Sequence, residues 1–180
     1  MHYLFLAGIG NSEHDHWQRI WWRSLGPNGH WLEHADWDNP VADTWVDDLE
    51  RCVGTLFGPK VFIAHSLSCL LVAEWTKRHG AADVAGAFLV AVPDPQGPAF
   101  PREAIGFGHA LEGGLPFPAV MIASTNDKYG TLAHAQRVSG HWRVPLVSVG
   151  EKGHINLASS LGDWPKGRAM LDEFVASLKR

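Results

Sequence analysis

Five short apolar runs recur along the chain, Tyr3–Ala7, Lys60–Ala64, Gly86–Val92, Ala119–Ala123 and Val144–Val149, each bounded by Gly, Pro, Asn or Asp. Runs of this length without polar alternation read as strands covered on both faces. A weaker sixth sits at Trp31–His34. Helical stretches lie between and after them: Asp15–Ser24, Val41–Phe57 behind Asn39-Pro40, Leu67–His79 closed by Gly80, Thr131–Ser139, and Lys166–Lys179 just after Pro165. This β-α-β-α order confines the chain to an α/β fold, a mostly parallel sheet with helices on both faces, and places ligands at the carboxyl ends of the strands. Chemistry is therefore expected in the loops that follow strands.

Composition narrows the function classes. With 180 residues, 46% hydrophobic and 19% charged, the chain has enough apolar material for one core, so 1–180 reads as a single domain. A net charge of −4 without runs of like charge lacks the footprint of a nucleic-acid binder. The opening Met1–Ala7 has no Lys or Arg ahead of it and is too short to cross a bilayer, so a buried strand is expected there and no membrane partner. Two cysteines, Cys52 and Cys69, make neither a disulfide framework nor an all-cysteine zinc site, which fits a reduced, cytoplasmic setting. Nine Trp are expected to line concave or half-buried surfaces, with core packing and pocket walls as their commoner uses.

The loop after the second run, Ala64-His65-Ser66-Leu67-Ser68, leads straight into a helix. A serine nucleophile on a strained strand-to-helix turn needs small residues two before and two after it, and Ala64 and Ser68 meet that need. The alternative use of Ser66 is a plain helix cap. A nucleophilic serine also needs a base and an orienting carboxylate, which in this architecture follow in the order Ser, acid, His. Asp127 follows the Ala119–Ala123 run and His154 follows Val144–Val149. Alone, each could be a turn residue or a solvated loop side chain. Together, in order and each past a strand, they form a constellation. Asp127 is preferred over Glu151, which shares the loop of His154, and over Asp163, which precedes a helix. Oxyanion donors are expected from the backbone N–H of Leu67 and, in the loop Gly8-Ile9-Gly10, of Ile9 first and Gly10 second.

Competing signals are weaker. His30-Trp31-Leu32-Glu33-His34 spells an inverted zinc-protease string, but its strand or loop context does not bring two histidines to one helix face. His14 and His16 have no patterned third ligand. Cys69 lies in an apolar stretch, as an inert buried thiol would. Neither a metal nor an organic cofactor is expected.

Four segments together resemble the small serine hydrolases of the retinoblastoma-binding-protein-9/YdeN type: Gly8-Ile9-Gly10-Asn11-Ser12 with Asp15-His16-Trp17, the elbow His65–Val72, Asn126-Asp127, and Gly153-His154-Ile155-Asn156 with Gly162-Asp163-Trp164-Pro165. The resemblance covers nearly the whole chain. It implies a compact α/β-hydrolase fold without a cap domain, with Ser66 as nucleophile, Asp127 as acid and His154 as base. Ser68 departs from it, because Gly is usual there, and Ser68→Gly is expected to be at least as active. The expected reaction is cleavage of a small carboxylic ester, or less readily an amide, through an acyl-enzyme on Ser66. A non-catalytic protein-interaction module on a retained hydrolase scaffold is the alternative, against which the intact Ser, Asp and His weigh.

Overall fold

A computed structural model describes residues 1–81, 83–108 and 113–179. Six strands, β1 (His2–Leu6), β2 (Gly29–Trp31), β3 (Lys60–His65), β4 (Val84–Val90), β5 (Ala119–Ala123) and β6 (Leu146–Ser148), form one sheet in the order β2-β1-β3-β4-β5-β6. All neighbours are parallel. Five helices connect or follow them: α1 (Trp17–Ser24), α2 (Ala42–Gly54), α3 (Leu67–His79), α4 (Leu132–Trp142) and α5 (Pro165–Ser177). No described helix is long and apolar enough to cross a membrane.

The absence of polar alternation in the strands follows from burial on both sides. Leu4, Leu6, Phe62, Ala64, Ala87, Leu89, Met121 and Ala123 pack under α2, α3 and α4. Their neighbours Phe5, Val61, Ile63, Phe88, Val90 and Ile122 pack under α1 and α5. Because β1, β3 and β4 lie side by side in register, Leu6, Ala64 and Leu89 align, so the loops after β1 and β3 leave the sheet together.

Two boundaries differ from the sequence expectation. The weak sixth strand lies at Gly29–Trp31 rather than Trp31–His34, because pairing runs from Tyr3↔Gly29 to Phe5↔Trp31 and ends with β1. After a last bond from Leu32 N–H to the Phe5 carbonyl, the chain turns off and His34 meets Asp48 of α2. Helix α4 continues past Ser139 to Trp142, which docks into the core, and Arg143 ends it in a left-handed conformation.

The Trp residues are core residues more than pocket walls. Trp17, Trp21, Trp45, Trp75, Trp142 and Trp164 are buried. Burial is possible where the indole N–H finds an acceptor. Trp17 donates to the Ile155 carbonyl, Trp21 to that of Asp163, Trp45 to that of Asp36, and Trp75 to the Glu50 carboxylate.

One polar side chain sits at the centre of this apolar packing. Gln18 of α1 is fully buried; its amide donates to the carbonyls of Leu6 and Ile63, 3.0 Å each, and its Oε1 accepts from Ser12 Oγ. It thus joins α1 to the ends of β1 and β3. Gln18→Leu keeps the volume and strands those partners, so it should cost about 2–4 kcal/mol of stability. Thermal unfolding should register a drop in Tm of roughly 5–15 °C for a chain this size.

Candidate active site

Strand β3 turns into α3 at Ser66, whose backbone takes φ 57°, ψ −126°. A non-glycine residue in so sparsely populated a region costs about 1–3 kcal/mol and must be held there by its surroundings. Ser66 N–H donates to the Val90 carbonyl at 2.9 Å, and the Ser66 carbonyl accepts from Cys69 N–H at 2.9 Å. Its hydroxyl makes no cap bond to α3. Instead, Ser66 Oγ lies 2.7 Å from His154 Nε2.

His154 is oriented from its other side, with Nδ1 2.8 Å from Asp127 Oδ2. With the Nδ1 proton donated to the carboxylate, Nε2 is left as an acceptor for the serine hydroxyl. The Asp127 side chain is 1% exposed, and its Oδ1 accepts from Tyr129 N–H. Neither Glu151 nor Asp163 partners the ring. The acid loop and the histidine loop are stitched together. Ser124 Oγ accepts from Lys152 N–H at 2.8 Å and donates to Asn126 Oδ1, which accepts in turn from Gly153 N–H at 2.7 Å. Tyr129 lays its ring 4.5 Å from that of His154.

A second imidazole, that of His65, packs against His154, and a third, that of His16, packs against His65. His65 Nε2–H donates to the His154 carbonyl, and burial, with smaller contributions from His154 and His16, pushes the His65 pKa well below the usual histidine value. His16 is pushed down to about 4, mainly by burial and then by His154. Burial thus keeps both rings neutral near pH 7.

The loop after β1 runs beside the elbow. A Cβ on Gly8 would stand 2.9 Å from Ser66 Cβ, so only glycine lets the two backbones pass. Gly10 N–H is engaged by the Trp37 carbonyl, whereas the N–H groups of Ile9 and Leu67 have no partner among the described residues and border the same cleft. Arg19 holds the loop from outside, donating to the Ser12 carbonyl and to Asn11 Oδ1 while its guanidinium rests 3.7 Å over the Trp31 ring. Ser68 holds it from inside: its buried Oγ donates to the Ala7 carbonyl at 2.5 Å. The cleft measures about 470 Å³, with Pro93, Phe100, Pro101 and Leu157 as apolar walls and Glu13 as its one Asp or Glu among the described lining residues. No described Lys or Arg lines it, and no Trp does.

The discounted motifs go elsewhere. His30 faces His2, and His34 is bonded to Asp48, so the two histidines of the zinc-like string have different partners. Among the described residues no three His, Cys, Asp or Glu gather as a metal cluster. Cys69 Sγ is buried against the carbonyls of Ala64 and Val90, and burial pushes its thiol far up.

Several supporting residues carried no sequence signal for the bonds they make. Gln18, Asn126 and the hydroxyl of Ser68 act on backbone groups far along the chain, and no local pattern marks such a partnership. Ser68 also bears on stability, since glycine there would strip a buried carbonyl of its donor. Ser68→Gly and Ser68→Ala should each lose about 1–3 kcal/mol in chemical denaturation, rather than match the parent protein.

The chain matches the family model described as serine hydrolase over residues 3–173. It is similar to a protein from Pectobacterium atrosepticum described as a YdeN-like hydrolase, at 29% identity and a TM-score of 0.85, over 98% of this chain and 91% of that one. The ydeN gene product of B. subtilis, at 19% identity and a TM-score of 0.79 over 98% and 100% of the two chains, shares the fold. So does an esterase from Rhodococcus sp., at 14% identity and a TM-score of 0.74 over 98% and 90%. No curated protein matches.

Proposed function

The chain belongs to the serine hydrolase family, and from that premise we propose that it cleaves a small, neutral carboxylic ester through an acyl-enzyme on Ser66, with an amide as the harder substrate. The observation that carries this reading is the unbroken line of hydrogen bonds from Ser66 Oγ through His154 to Asp127, 2.7 and 2.8 Å long. Ser66 Oγ attacks the substrate carbonyl carbon while His154 Nε2 takes the hydroxyl proton. Asp127 keeps the imidazole in the competent tautomer and stabilises the imidazolium. The oxygen that becomes negative is held by the free N–H groups of Ile9 and Leu67, the latter at the positive end of α3. Collapse of the tetrahedral species breaks the bond to the alcohol, which leaves with the proton from His154. Water then repeats the sequence on the acyl-serine and releases the acid. Leu67 and Ile9 act through their backbones, so their side chains can vary.

The test combines labelling with kinetics. A fluorophosphonate should add once, at Ser66, as read by mass spectrometry of the peptide. Ser66→Ala should lose ester hydrolysis by roughly 10⁶-fold, and Asp127→Asn by roughly 10⁴-fold, because the amide favours the wrong tautomer of His154. Full activity in the folded Ser66→Ala protein would refute the assignment.

The charge of the cleft sets a preference among esters. With Glu13 at its border and no described Lys or Arg in its lining, an acyl group bearing its own carboxylate meets repulsion without compensation. A like charge a few ångströms away in a partly wet site is worth about 1–2 kcal/mol. The kcat/KM for p-nitrophenyl hemisuccinate should therefore fall about tenfold or more below that for p-nitrophenyl butyrate. Glu13→Gln should narrow the gap.

A further inference from the structure

His16 caps α1: its Nδ1 accepts from Gln18 N–H at 3.2 Å. A neutral imidazole that accepts at Nδ1 carries its proton on Nε2, so the capping bond fixes the tautomer. The residue is 3% exposed, and its ring is packed between those of Trp17 and His65, at 5.3 and 5.1 Å. It also forms part of the wall of the cleft that contains Ser66 and His154. Its Nε2–H has no partner among the described residues, yet it is not among their sealed, unpartnered polar atoms, so it is open at the surface of a residue that lines the cleft.

Capping alone does not account for this side chain. A cap needs one acceptor, which Ser, Thr, Asn or Asp supplies at less bulk. The far nitrogen of His16 is surplus to that task, on a residue that lines the cleft beside Ser66. Among the described residues no carboxylate pairs with it, and burial keeps the ring uncharged near neutral pH, its pKa down at about 4. A neutral donor beside His154 adds a dipole without opposing the charge that His154 gains during the reaction.

We propose that His16, through Nε2–H, is a third hydrogen-bond donor to the substrate, besides the two backbone N–H groups, taking an oxygen acceptor of the ester. This rests on the reading of Ser66 as nucleophile. It makes His16 a catalytic residue in addition to a helix cap, and the two roles use opposite ends of one ring. They can therefore be separated. His16→Asn keeps a capping oxygen near the place of Nδ1 and removes the distal donor. His16→Gln keeps a donor near the place of Nε2 and loses the cap.

Both variants are to be compared with the parent protein in Tm, in kcat and KM for p-nitrophenyl butyrate, and in fluorophosphonate labelling. His16→Asn should hold its Tm within a few degrees and lose about 10- to 100-fold in kcat/KM, with the acid side of the pH–rate profile unmoved because His16 does not titrate there. His16→Gln should melt earlier but keep kcat/KM within several-fold of the parent protein. Parent-like kinetics in a folded His16→Asn overturns the proposal, as does an equal loss in both variants. Failure of both to fold assigns His16 to structure alone and overturns it too. If the parent protein takes no label at Ser66, the nucleophile reading fails and carries this one with it. Labelling at Ser66 with unaltered His16→Asn kinetics removes only the His16 donor.

Discussion

The backbone of Ser66 is the constraint to which the rest of the site answers. A residue with a side chain does not rest at φ 57°, ψ −126° unless both ends are fixed, and here the rigid strand β3 fixes one end and α3 the other. The sheet supplies the Val90 carbonyl for its N–H, and glycine at position 8 leaves room for the turn. The strain is local, and the packing that overcomes it is spread through both hydrophobic layers. Removing any one contact loosens a geometry on which the 2.7 Å approach to His154 depends.

Around that turn the protein assembles polar groups whose partners are all internal. Asp127 has its oxygens on His154 and Tyr129 N–H, His65 is spent on the His154 carbonyl, and Asn126 joins two loops. Such networks hold their members to one arrangement when every member is satisfied. The donors left over, on Ile9, Leu67 and His16, border the cleft. Donors already fixed in place need no reorganisation when charge develops beside them.

Much of this was legible in the chain because the relevant signals are local. Gly, Pro and Asp bracket the strands, and Ser66, Asp127 and His154 each follow one by a short loop, so their convergence at one edge of a parallel sheet follows from topology. The register of β2 was not legible: Trp31-Leu32 is the apolar part of that stretch, but the partner strand β1 stops at Leu6 and sets where pairing ends. Which six Trp are buried was hidden for a related reason, since Trp17, Trp21, Trp45 and Trp75 each draw an acceptor for the indole N–H from another segment. Ser68 stood out as a departure in a turn where glycine is usual, yet its bond to Ala7, 61 residues away in sequence, belongs to the folded protein alone.

The line from Ser66 to His154 spans 88 residues of chain, and Gln18 reaches 45 residues to Ile63. A growing chain leaving the ribosome therefore carries Ser66 well before the loop that holds its hydrogen-bond partner has been made. On the proposed reading of the site, Ser66 is until then an ordinary alcohol with no base to take its proton.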